Sequence, residues 1–434
     1  MSTQSFEERC AEAAASRTKV QSAPRRVVIT GTGAITPAGI GVDALWDAVS
    51  SGRCCISEIP EEFAEQHANV AGLIPGYDPL EFFSKKEARR NARFVQLAIV
   101  ASDEALKQSG IELENEDLAR FACVFGSGIG GLAVFEKEVA NLIEKGPRKV
   151  SPLFIPTMIS NMAAGDLAIR YGLRGECINI VTACATGTHC VGEAFRLIRT
   201  GYADMALCGG TEETISPIAI AGFANLGAIT KAENPLDASK PFDVDRSGFV
   251  PAEGAGALVL ESLDHALARG ANIIAEVTGF GSTGDGYHMT APEPSGEGAA
   301  RAMAQALAEA GFTPSELGHV NAHGTSTHAN DAMEAAALKR LVGDELASKV
   351  PVTSIKGATG HMLGGAGAVE AIVTALSVAK SCVPPTVGFS TPDPEAPANV
   401  STELRENLPQ LVALSNSFGF GGHNASIAIS PFIA

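Results

Sequence analysis

From Arg25 onward one rhythm recurs: a short apolar run closing on glycine, then a longer stretch with apolar residues three and four apart. The run RRVVITGTGAITPAG from Arg25 predicts a strand, and IIAEVTGFGSTGDG from Ile273 matches it. Both close on Thr-Gly-x-Gly, at Thr30, Gly31 and Gly33 and at Thr278, Gly279 and Gly281. A helical pattern follows each: Phe94, Leu97, Ala98 and Ala101 share a face before Gly110, as Ala299, Met303, Ala306, Leu307 and Ala310 do before Gly311. Next come strands ending in glycine, FACVFGSGIGG from Phe121 and LGHVNAHGTST from Leu317. Two further strands run into small-residue helix starts, CINIVTACATGTHC from Cys177 and VPVTSIKGATGHMLGGAGAVEAI from Val350. Each series closes on ADMALCGGTEE from Ala203 or LVALSNSFGFGGHNAS from Leu411. Matched elements in one order mark an internal duplication.

Strands alternating with helices predict an α/β protein with mostly parallel, buried sheets, and two such copies predict a layered α/β/α/β/α body. The division expected is a polar tail over 1–24, a first half over 25–265 and a second over 266–434. About 90 residues separate the first two strands of the first copy, against about 40 in the second. The extra residues, roughly 40–90 and 130–170, predict a cap or a partner-binding surface.

The chain has 434 residues, 45% of them hydrophobic, enough for a large core. A net charge of -17 repels phosphate polymers and anionic lipid, so nucleic acid is not an expected partner. Nine scattered cysteines form neither a disulfide framework nor a zinc spacing, which suits a reducing cytoplasm. No run approaches the ~18 apolar residues of a membrane helix, and the first 24 residues lack a signal peptide's apolar core, so no stable membrane association is expected.

Cys184 lies between an apolar strand and the helical run Val191 to Ile198. At a helix N-terminus, free N–H groups and the dipole favour an anion, which lowers a thiol's pKa and offers an oxyanion hole. His323 in VNAHGTSTH and His361 in KGATGHMLGGAG, five residues after Lys356, occupy comparable turns. Sheets of this kind place their sites at strand ends, so the three form one Cys-His-His constellation. The loop Phe418 to Gly422 adds glycines that allow close approach to a ligand. His67, His189, His265, His288 and His319 read as packing or surface residues, no metal site is expected, and GTGAITPAG has no third glycine at the spacing of a dinucleotide loop and no acidic residue after a second strand to support one.

With TACATGTH, VNAHGTST, SFGFGG, GSGIGG, GPRKVSP, DRSGFVPAEGAG and GDGYHMTAP, the chain from about Arg26 to Ile429 resembles the elongating β-ketoacyl-[acyl-carrier-protein] synthases of thiolase fold, most nearly the type II enzymes of bacterial fatty-acid synthesis. The resemblance implies that Cys184 accepts an acyl chain from acyl carrier protein while the N–H groups of Cys184 and Phe420 hold the thioester oxyanion. It implies that neutral His323 and His361 stabilise the enolate left by malonyl decarboxylation, with Lys356 and Glu370 supporting them. Thr290, Thr325, Thr327 and Phe418 would bind substrate, Thr325 and Thr327 along the phosphopantetheine tunnel, Ile129 would line the acyl pocket, and Phe420 would be the gate between them. No cofactor is implied beyond the phosphopantetheine that arrives on the carrier protein. Lys86, Arg89, Arg90, Arg148, Lys149 and Lys231 would dock that acidic partner, and the chain would form a homodimer.

Departures from the family pattern are His328 and Asn330 after the first histidine turn, His423 in the last glycine loop, and Lys231 in a shortened GAITKAENP. A degradative thiolase would carry a second cysteine in the last glycine loop, and none follows Cys382. A silent chain-length-factor subunit would lack the nucleophile. A ketosynthase of type I-like specificity or of a polyketide pathway is the other reading.

Overall fold

The computed structural model describes residues 24–61, 63, 68–396 and 398–433. His67 and the expected tail before Pro24 lie outside them. The first half runs β1 (Val27–Thr36), α1 (Arg93–Ser109), β2 (Phe121–Gly126), α2 (Met162–Tyr171), β3 (Cys177–Ile178), α3 (Thr186–Arg199), β4 (Met205–Glu212) and β5 (Gly254–Ser262). The second runs β6 (Ala275–Gly284), α4 (Glu297–Ala310), β7 (Leu317–Asn321), α5 (His328–Val342), β8 (Pro351–Thr353), α6 (Ala366–Ala379), β9 (Asn399–Val400), β10 (Val412–Gly419) and β11 (His423–Ser430).

The strands line up as β9-β8-β7-β10-β11-β6-β1-β5-β4-β2-β3. Among these strands all but one in each half point the same way, so the mostly parallel character expected from the sequence is present. The exceptions are β5, antiparallel to β1 and β4, and β11, antiparallel to β6 and β10. These return strands, GAGALVLES and HNASIAIS, escaped the sequence reading because each follows a glycine-rich motif that reads as a loop. The halves join where β1 pairs antiparallel with β6, Val27 opposite Val277 and Ile29 opposite Ala275.

The duplication extends to single residues. Thr30 and Thr278 are each the extra residue of a bulge, against β5 and β11 respectively. Beyond the bulges the glycines let a helix lie directly on the strand: a Cβ on Gly33 would sit 1.9 Å from Ala101 O, and one on Gly281 would sit 1.8 Å from Ala302 O. Helices α1 and α2 cover the outer face of the first half, with Phe94, Leu97 and Leu167 packed on Phe121 and Phe125. On the other side, α4 and α5 place Met303, Leu307 and Leu338 on Val320 and Leu414. Between the half-sheets α3 and α6 form the innermost layer, where Val191, Phe195, Ile372 and Val373 contact strands of both copies. This is the expected five-layer arrangement. It brings the N-termini of α3 and α6 together: a Cβ on Gly187 would lie 2.6 Å from Ala368 N.

Candidate active site

Both central helices begin in the same way. A residue with left-handed backbone, Ala183 (φ 51°) or Leu363 (φ 41°), opens a 3₁₀ turn that leads straight into the helix. Such a conformation costs roughly 1–3 kcal/mol in a residue with a side chain, and surrounding packing must hold it. The first turn presents Cys184 and the second follows His361.

Cys184 is buried, and the N–H groups of Phe420 and of Cys184 itself lie within hydrogen-bonding reach of its sulfur. Its thiol is pushed up to about 12, mainly by burial, against the pull of Lys356 and those N–H groups. This reverses the acidified thiol expected from the helix N-terminus: desolvation of the thiolate outweighs the dipole in so enclosed a site.

His323 follows β7, and its N–H and that of Gly324 each donate to a carboxylate oxygen of Glu334, at 2.9 Å. Lys356 Nζ lies 3.3 Å from His323 Nδ1 and also bonds Glu370 Oε1. An ammonium only donates, so Nδ1 accepts and the ring proton sits on Nε2. His361 is held through its backbone, which donates to Val250 O (2.8 Å) and accepts from Ala252 N–H (3.0 Å). Its ring stands edge-on to Phe249 and His323, and among the described residues neither of its nitrogens has a hydrogen-bond partner. Burial, with Lys356 nearby, holds both histidines well below the usual range, hence neutral. Burial raises the Glu370 carboxyl, and Lys356 pulls it back.

Cys184 Sγ and one nitrogen from each of His323 and His361 all lie within 4.8 Å of one another. A soft metal can use such a triad, but the Lys356 ammonium beside His323 disfavours a second cation there. The three residues face a 390 Å³ cavity. Ile129, Phe223, Phe249 and Leu363 form apolar parts of its wall, and Thr290, Thr325, Thr327, Asn330, Asp285 and Asn424 supply polar ones. Thr325 and Thr327 share a 2.9 Å hydroxyl contact, Phe418 stands edge-on to His323, and half-buried Phe420 lines the cavity.

Lys86, Arg89 and Arg90 are exposed on the short helix Lys85–Arg90, Arg148 and Lys149 on a 3₁₀ turn, and Lys231 on a loop. Of the histidines set aside, His189 packs behind the turn that carries Cys184, bonding Thr182 Oγ1 and Ser282 Oγ, His319 is buried and His288 is exposed. His265 joins a carboxylate cluster with Glu261 and Glu116. Sequence reasoning missed Glu334, Glu212 and Phe249. A buried acid in α5 eleven residues after His323 was the signal available for the first.

The β-ketoacyl synthase N-terminal domain model matches residues 24–266, and the C-terminal domain model matches residues 274–390. The 3-oxoacyl-[acyl-carrier-protein] synthase 2 of Vibrio cholerae is 46% identical over 93% of this chain and 98% of its own. That of Synechocystis sp. is 44% identical over 94% and 98%. Among solved structures, a β-ketoacyl synthase from Burkholderia phymatum superposes with a TM-score of 0.87 at 33% identity, covering 94% of this chain and all of the other. A type II polyketide ketosynthase in complex with its acyl-carrier protein, bound to a hexaketide, gives 0.87 at 32% identity, with 94% and 100% covered. With the two family models matching well over half of the chain, including the segments that carry Cys184, His323 and His361, the chain belongs to the β-ketoacyl synthase family.

Proposed function

We infer that the chain condenses an acyl group with malonyl-[acyl-carrier-protein], releasing CO2 and forming 3-oxoacyl-[acyl-carrier-protein], in fatty-acid elongation. The observation that carries this is the convergence of Cys184 Sγ with the two neutral histidines on one cavity. Identity of 44–46% to enzymes named 3-oxoacyl-[acyl-carrier-protein] synthase 2, against 32% to the polyketide ketosynthase, favours elongation over a polyketide pathway.

In the first step Cys184 sulfur attacks the acyl thioester, whose oxyanion the Cys184 and Phe420 N–H groups hold. The carbon–sulfur bond to pantetheine breaks, and the cysteine proton leaves with the departing thiol. In the second, the malonyl carboxylate departs as CO2 and its bonding pair becomes an enolate. The Nε2–H of His323 and a ring N–H of His361 stabilise the enolate oxygen. The enolate carbon attacks the acyl-cysteine, and the released thiolate takes up one proton. Lys356, paired with Glu370, fixes the tautomer of His323. Thr290, Thr325 and Thr327 line the way for phosphopantetheine, which the carrier protein brings, and Ile129 meets the acyl chain.

A homodimer is supported by the edge of β3, which pairs with no further strand among the described residues, and by exposed apolar side chains such as Ile155 and Val181. Among the described residues no helix is long and apolar enough to cross a membrane. The test is intact-mass analysis after mixing with carrier protein loaded with C4 to C16 chains. An acyl adduct mapped to Cys184 supports the reading, and an adduct on another residue overturns it.

A further inference from the structure

Strand β4 ends on Glu212, which the steps above do not use. Its carboxylate is fully buried, lines the reactive cavity and accepts four hydrogen bonds. Oε1 accepts from Ser127 Oγ at 2.8 Å and from Ile129 N–H at 3.2 Å. Oε2 accepts from Gly128 N–H at 2.8 Å and from Gly364 N–H at 3.0 Å.

Three of these donors belong to GSGIGG, the loop carrying Ile129. The fourth belongs to the turn Leu363–Gly365, just after His361 and in the other half of the duplication. The loops touch at this point: a Cβ on Gly364 would lie 2.5 Å from Gly128 N and 2.7 Å from Glu212 Oε2. A carboxylate accepts on both oxygens and can serve all four donors, whereas an amide would turn its own N–H₂ toward one pair. Bonds from backbone amides to a charged acceptor are among the stronger ones in a buried site.

We propose that Glu212 is a positioning residue, one carboxylate that fixes the acyl-pocket wall relative to the turn behind His361, and so sets both acyl-chain preference and malonyl decarboxylation. The proposal rests on the reaction inferred above. It joins a loop that feels the acyl chain to the histidine that faces the malonyl group, through a side chain that touches neither reacting carbon.

The test uses the full-length protein with Glu212→Gln and Ser127→Ala. For Glu212→Gln, the ratio of C16 to C6 acylation of Cys184 should fall ~10-fold, and malonyl decarboxylation, read as released CO2, should fall ~10-fold as well. Hydrogen exchange should quicken together in peptides spanning 127–131 and 361–367. Ser127→Ala removes a donor from the first loop only. Exchange should therefore quicken in 127–131 alone, and the C16 to C6 ratio should change while decarboxylation stays within about twofold. The proposal is overturned if Glu212→Gln keeps the wild-type ratio and decarboxylation. It is equally overturned if C6 acylation, C16 acylation and decarboxylation all slow by one common factor, as general loosening would produce. Should Glu212→Gln fail to fold, the Ser127→Ala pattern decides. Should the wild-type protein accept no carrier-linked chain, the reaction reading fails, while the exchange pattern still decides whether the carboxylate joins the two loops.

Discussion

Cys184 keeps its proton at neutral pH, because burial pushes the thiol up to about 12. In the proposed reaction the thiolate then forms only as sulfur closes on the acyl carbon, which leaves the two histidines for the malonyl step. That division gives a separable expectation: His323→Ala or His361→Ala should still take an acyl group onto Cys184, while CO2 release from malonyl carrier protein falls by ~10²–10³, the usual cost of one oxyanion-type donor. Near-normal CO2 release by both variants would place the enolate elsewhere. Cys184, His323 and His361 were legible in the sequence because each ends an apolar run in a turn of small residues. Glu334 and Glu212 were not, since each acts by accepting backbone N–H groups of other segments, Glu212 across both halves of the chain. The direction of the Cys184 shift was misread for a related reason: a helix N-terminus is visible locally, whereas burial depends on the whole fold.

The strand β1 and its copy β6 show how an element's sequence fixes its packing. Their Thr-Gly-x-Gly segments supply a bulge and then a glycine on which α1 or α4 lies. Replacing Gly33 or Gly281 by Ala should destabilise the protein by ~1–3 kcal/mol through overpacking, read as a lowered thermal midpoint. An unchanged midpoint would mean that the helices can retreat without cost. At the end of β5, Glu261 bonds His265 and Arg269, and His265 reaches Glu116 on the segment before β2. The Glu261 carboxyl is lowered from 4.5 to about 2 by these partners, against burial, so its contribution is present above 4.5 and lost as pH falls toward 2. Hydrogen bonding to Glu261 raises His265 above 6.5, so its contribution is complete below 6.5 and lost as pH rises through the raised value. The difference in thermal midpoint between wild type and His265→Leu should therefore peak between 4.5 and 6.5 and shrink above. A difference constant from pH 5 to 9 would contradict this. The duplicated order of elements was readable because apolar periodicity survives divergence, but β5 and β11 were hidden by the glycine motifs before them.

At the scale of the molecule, the charge of -17 must be reconciled with an acidic carrier protein. The exposed bases Lys86, Arg89, Arg90, Arg148, Lys149 and Lys231 offer a local exception. Reversing Arg89 and Arg148 to Glu should raise KM for carrier-linked substrate with little change in kcat, and should flatten the salt dependence of kcat/KM, because screened attraction acts mainly on encounter. A small pantetheine thioester should react as before; if it slows equally, these residues support the fold instead. The five-layer body explains why the site needs the whole chain, since Cys184 enters from one half, and His323 and His361 from the other. In the proposed reaction an acyl group held on Cys184 becomes part of a longer chain on the carrier protein. This transfer is tested most directly by a single turnover: enzyme acylated in advance and freed of donor is mixed with malonyl carrier protein, and both proteins are weighed over time. The acyl mass should leave the enzyme in step with the appearance of 3-oxoacyl carrier protein and one CO2 per chain, and Cys184→Ala should give neither acyl-enzyme nor product. Product formed by Cys184→Ala at the wild-type rate, or an acyl-enzyme that persists while product accumulates, would contradict the account.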